Sequence, residues 1–129
     1  MNLLVKSLSA ITLSLSAVAA FASPEYLITH NNTTEESNAY IAGVPSIYPT
    51  PANSTKKVYW NLVKLACFGH TTAGRCAAVI KMATNTSHSV EIGTVSMDIS
   101  TGDISPKQLS ANGYTFTVIG TAEATITKN

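Results

Sequence analysis

The sequence predicts an all-β protein: a small antiparallel β-sandwich of Greek-key or meander-like topology, carrying one disulfide-stapled hairpin and preceded by a cleavable signal peptide. Three observations point there. Apolar residues between Val90 and Ile126 recur with a period of two rather than 3.6. Turn signals punctuate that stretch closely, at Thr101-Gly102-Asp103, Asn112-Gly113 and Gly120-Thr121-Ala122. The two cysteines, Cys67 and Cys76, flank a loop containing Gly69 and Gly74 between apolar, partly β-branched runs.

The first residues, MNLLVKSLSAITLSLSAVAAFAS, place Lys6 before an apolar run and end in the small-x-small pattern Ala20-Phe21-Ala22. That is the pattern of a secretory signal peptide cut after Ala22. The run is short for a membrane span and is diluted by Ser7, Ser9, Thr12, Ser14 and Ser16. The mature chain then runs from residue 23 to 129, a length suited to one domain. Within it, residues 23–57 form a Pro/Asn/Thr-rich segment with Pro24, Pro45, Pro49 and Pro51, where short extended pieces are expected at Tyr26–Thr29, Asn38–Ala42 and Ser46–Tyr48.

Residues 58–129 are expected to hold the antiparallel core. Pairing Cys67 with Cys76 across a hairpin sets Leu65 opposite Ala78, Val63 opposite Ile80 and Asn61 opposite Met82. That register turns Trp60 toward solvent, and no helix is expected in the mature chain. A disulfide across so short a ring stabilises by roughly 2.7 kcal/mol in the chain-entropy model. In the next strand Val90 and Ile92 share one phase, and Val95, Met97 and Ile99 share the other. A bulge at Gly93 reconciles them. Pro106 limits the following strand to an edge or to its second half. Asn112-Gly113 predicts a type I′ hairpin pairing Ala111 with Tyr114 and Leu109 with Phe116. A three-residue loop at 120–122 then sets Val118 opposite Ala124 and Phe116 opposite Ile126. The buried set expected is Val63, Leu65, Ile80, Val95, Met97, Leu109, Phe116, Val118 and Ile126.

Composition excludes several functions. The whole chain has 8 basic and 7 acidic residues. Removing Lys6 leaves seven of each, so no basic field exists to hold nucleic acid. The C-terminal ATITKN is polar, and no membrane span is expected in the mature form. His30, His70 and His88 lack ligand spacing and sit beside Asn, Thr or Ser, which reads as solvated loop histidines and no metal site. No G-x-S-x-G occurs, no cysteine is left as a nucleophile, and the carboxylates are scattered, so no catalytic residue and no cofactor is assigned. The triplets beginning at Asn31, Asn32, Asn53 and Asn85 fit glycan acceptors in form but follow from an Asn/Thr/Ser-rich composition.

The loop from Phe68 to Arg75 is the binding candidate, with Phe68, His70 and Arg75 as its anchors on a tethered base. The expectation is a non-enzymatic protein, secreted or periplasmic, that binds a surface, a glycan or a protein ligand. An inhibitor of an extracellular or periplasmic hydrolase, acting through residues 68–75, is the first alternative, and a small hydrolase the second. N-terminal sequencing of the exported protein is expected to begin at Ser23; a sequence beginning at Met1 contradicts the leader.

Overall fold

The computed structural model describes residues 22–129; the expected signal peptide falls, but for Ala22, outside them. The described chain is two β-sheets packed face to face. In order, the elements are β1 (Tyr26–Asn32), β2 (Ser37–Ile41), β3 (Val44–Pro45), β4 (Ser54–Tyr59), helix α1 (Trp60–Cys67), β5 (Thr71–Thr72), β6 (Arg75–Met82), β7 (Val90–Asp98), β8 (Ile104–Ser105), β9 (Gln108–Ala111), β10 (Tyr114–Gly120) and β11 (Glu123–Lys128). One sheet has the order β4-β1-β11-β10-β9, the other β3-β2-β6-β7-β8 with β5 also on β6.

The second half of the chain pairs as its alternation dictates. Asn112 (φ 55°) and Gly113 (φ 88°) both take positive φ, as a type I′ turn requires, and Ala111 opposes Tyr114 while Leu109 opposes Phe116. Phe116 faces Ile126 and Val118 faces Ala124. The expected bulge is present: Ile80 pairs with Gly93 but Lys81 pairs with Glu91, so Ile92 is looped out of register. Ile92, Val95 and Met97 are consequently all buried. A Cβ on Gly93 would meet the Leu109 side chain at 3.1 Å, so β7 and β9 close one side of the sandwich tightly.

Three expectations are corrected. The sheets are not wholly antiparallel, because β1 and β11 run parallel, Ile28 opposite Glu123 through Asn32 opposite Thr127. The stretch expected at Ser46–Tyr48 is not a strand. The largest correction is α1. Residues 60–67 are helical, so the disulfide ties the end of a helix to β6 instead of stapling two paired strands; the strand partners of β6 are β2, β5 and β7. Trp60, Val63 and Cys67 are the buried residues of α1, a helical spacing of three and four. Leu62, Lys64, Leu65 and Ala66 are good helix formers, and Lys64 suits the last turn. An eight-residue apolar run satisfies both periods, and packing decides between them. The expected burial of Leu65 fails for this reason: it is 71% exposed, whereas Trp60 is 2% exposed rather than facing solvent.

Another buried polar knot joins the Pro-rich segment to the sheets. Asn31 is fully buried. Its Nδ2 donates to the carbonyls of Glu35 (2.7 Å), Thr50 (3.2 Å) and Pro51 (3.2 Å), and its Oδ1 accepts from Thr33 N–H and Oγ1. In the folded domain both the Nδ2 and the Oδ1 of this amide are engaged.

The helix distinguishes two neighbouring substitutions. Val63→Ala is expected to cost about 2 kcal/mol, whereas Leu65→Ala stays within about 0.5 kcal/mol of wild type. Urea denaturation measures both, and equal losses would favour a strand. Phe116→Ala, deep between the sheets, is expected to cost about 3 kcal/mol.

Candidate functional site: an apolar cleft between the sheets

The sheets meet at the β7–β9 side but separate toward β4 and β3, leaving a cleft of about 420 Å³. Its floor comes from the paired inner faces, with Phe116 and Ile126 from one sheet and Ile80, Val95 and Met97 from the other. Ala39, Ala78 and Ala124 line it as well. Their short side chains occupy less of the space between the sheets than a branched apolar residue does. The helix closes one end with Leu62, Val63, Leu65 and Ala66. Val44 (65% exposed), Ile47 (81%) and Leu65 (71%) line the cleft while remaining accessible, so its rim is also apolar. The volume lies within the range of about 300–1,000 Å³ typical of small-molecule sites.

Helix α1 defines the cleft because it is clamped at both ends. Trp60 N–H donates to Glu25 O at 2.9 Å, and its indole Nε1 donates to Ile99 O, also at 2.9 Å. Cys67 is bonded to Cys76 in β6, with a Cα–Cα distance of 5.9 Å. The helix thus leaves one sheet at β4 and is bolted to the other at β6.

The three residues of the expected binding loop are placed differently from one another. Phe68 is 82% exposed, directly after the staple. His70 is exposed and lines the mouth of the cleft. Arg75 is not a free anchor. As the first residue of β6 it turns to the outer face, opposite in phase to buried Cys76. There Nε donates to Ser96 Oγ (2.7 Å), and Nη2 donates to Ser96 O (2.9 Å) and Ser105 Oγ (3.0 Å). Asp98 and Asp103 lie 3.9 and 3.5 Å from the guanidinium. These carboxylates are held below the ordinary range. For Asp98 the main cause is the Ser100 hydroxyl, helped by the Thr101 and Ser100 N–H groups; for Asp103 it is the bond from Lys107, with Arg75 adding to it.

His30 also departs from expectation, lying in β1 rather than a loop. Its Nε2 is 2.6 Å from Glu123 Oε2 and its Nδ1 is 2.9 Å from Thr55 Oγ1. This hydroxyl–imidazole–carboxylate line spans three adjacent strands, but those residues alternate with the cleft-lining Thr29, Lys56 and Ala124 and so lie on the outer sheet face. No carboxylate of the described residues lines the cleft. Among the described residues, no group of three or more His, Cys, Asp or Glu is placed to hold a metal, and no helix is long and apolar enough to cross a membrane.

The fold and cleft define a disulfide-bonded β-sandwich with an accessible apolar interior. The chain matches the family model described as "T2SS substrate NttC" over residues 1–129, and it belongs to that family of type II secretion system substrates. It is therefore an exported protein. A crystal structure of the Legionella pneumophila type II secretion system substrate NttC is similar to it, with 67% sequence identity and a TM-score of 0.81, covering 83% of this chain and 100% of the other. No curated protein matches.

The acid response of the Arg75 cluster follows from these shifts. Both folded-state carboxylate values are depressed, so their contribution is complete above the unfolded value of about 4 and is lost as pH falls through the folded values. Thermal unfolding is expected to show a Tm that drops on acidification below about pH 4. The Asp98→Asn/Asp103→Asn double variant should show a shallower acid decline; an unchanged slope would remove these residues from the acid response.

Proposed function

We propose that this protein acts outside the cytoplasm as a non-enzymatic binding module, taking an apolar ligand into the cleft between its sheets. The observation that supports this reading is the cleft itself: an open space between two apolar sheet faces, with Ala39, Ala78 and Ala124 among its lining residues, opening through an apolar rim. A secreted domain that simply needed a stable core would gain by filling this space, since each buried methylene is worth about 0.8 kcal/mol. Cleavage of the leader after Ala22 belongs to the same reading, because the mature domain starts just before β1.

The reading of a surface, glycan or protein ligand is narrowed here to a partner that presents an apolar group. Inhibition of a hydrolase through residues 68–75 retains one supporting feature, the protruding Phe68, but loses Arg75 to its serine and aspartate partners. The hydrolase reading has no carboxylate in the cleft to support it.

The test is binding of an uncharged fluorescent probe, N-phenyl-1-naphthylamine, to the mature protein. Wild type is expected to bind with a blue shift and enhanced emission. Ala66→Trp, which adds bulk at the helical wall from an exposed position, is expected to weaken binding about tenfold or more without lowering Tm. Phe68→Ala should leave probe binding unchanged. Absence of probe binding by wild type, or equal binding by Ala66→Trp, overturns the cleft as the site.

A further inference from the structure

The cleft has one feature that a purely apolar ligand does not account for. Lys56 lies on edge strand β4, opposite Thr29 of β1, and lines the cleft with its side chain half-buried. Its neighbour Lys57 faces the other way, 5.6 Å from the Tyr26 ring. Among the described residues that line the cleft, Lys56 is the only lysine, arginine or carboxylate. The ion pairs and cation–π contacts of the described residues involve His30, Arg75, Lys107, Lys57, Lys81 and Lys128, and none involves Lys56.

Inward-pointing charge on an edge strand also serves to prevent edge-to-edge pairing. That role explains a lysine on β4. It does not require the lysine to border an interior space, to have no ion-pair partner among the described residues and to share that space with an accessible apolar rim. A lysine stem covers apolar wall while its ammonium reaches toward the mouth. An apolar ligand lying along the stem would bring its own end group close to that ammonium. An apolar end would strip water from the cation without replacement, and a hydroxyl would replace it with a neutral acceptor only; an anionic end would offset the cost with a charge-assisted hydrogen bond between ions.

We propose that the ligand is a single-chain anionic amphiphile, with its alkyl tail between the sheets and its carboxylate paired with Lys56. This rests on the cleft reading and specifies its ligand. The volume of about 420 Å³ lies toward the lower end of the small-molecule range, which suits one chain rather than the paired chains of a bilayer lipid. The tail supplies affinity in proportion to the methylenes it buries, and the head group supplies orientation.

The experiment is displacement of bound N-phenyl-1-naphthylamine at neutral pH by dodecanoate, dodecanol and octanoate. Wild type is expected to prefer dodecanoate over dodecanol by about tenfold, the size of one partly exposed charge-assisted contact. Dodecanoate should also exceed octanoate, by up to about fourfold for each added methylene that finds space in the cleft. Lys56→Met is expected to abolish the preference for the carboxylate over the alcohol, and Lys56→Arg to retain it. Equal displacement by dodecanoate and dodecanol in wild type overturns the anionic ligand and leaves the cleft reading standing. A preference that survives Lys56→Met overturns the assignment to this residue. Failure of every competitor to displace bound probe overturns the amphiphile. If the probe itself does not bind, the cleft reading falls and this inference falls with it. Light scattering on the same samples separates one further outcome: displacement that occurs only with dimer formation assigns the groove to a second copy of the chain and overturns the proposal.

Discussion

The clamp on helix α1 is the constraint from which the rest of this structure follows. A short helix has little stability of its own in water, because nucleation is costly and few hydrogen bonds repay it. Residues 60–67 are held by what they are attached to. At one end Trp60 is buried and hydrogen-bonded to the backbone of Glu25 and Ile99; at the other Cys67 is covalently bound to Cys76. The two anchors lie seven residues apart on one helical face with Val63 between them. With both ends tied, the intervening Leu62, Leu65 and Ala66 are presented along the cleft rather than driven into it. An untethered apolar segment would collapse into the space beside it.

The opposite wall is built on different principles. The Pro-rich segment has few apolar residues to bury, and it is held by backbone carbonyls gathered on the buried Asn31 amide. Thr50 and Ser37 exchange backbone bonds of 2.8 and 2.9 Å across the same junction. Polar fixation of this kind leaves Val44 and Ile47 accessible at the rim, where hydrophobic fixation would have consumed them. The cleft thus has one wall secured covalently and one secured by hydrogen bonds. Neither depends on filling the interior.

The charged residues separate by face. Arg75, Asp98, Asp103 and Lys107 form a network on the outside of one sheet, and His30 pairs with Glu123 on the outside of the other. These partners are partly exposed, and pairs of that kind contribute little stability each. Their geometry matters more for where it puts Arg75, which is removed from the loop that the sequence marks as a binding element. Lys56 stands apart because alternation turns it inward.

By itself the sequence determined what depends on local pattern. The Asn112-Gly113 turn, the pairing of Phe116 with Leu109 and Ile126 and the bulge beside Gly93 were legible, because side-chain alternation and turn chemistry act over a few residues; the bond between Cys67 and Cys76 was legible from two cysteines in an exported chain, but its place at the end of a helix was not. Only the tertiary structure decided the rest. The apolar run from Trp60 to Cys67 fits a strand or a helix equally well. It is a helix in a fold where β2, β5 and β7 already pair with β6, the strand it would otherwise have joined. The parallel pairing of β1 with β11 joins the two ends of the described chain, a contact with no local signature. The cleft was invisible for the same reason: alanines at positions 39, 78 and 124 read as ordinary strand residues, and the space they leave exists only when two sheets and a tethered helix are brought around it.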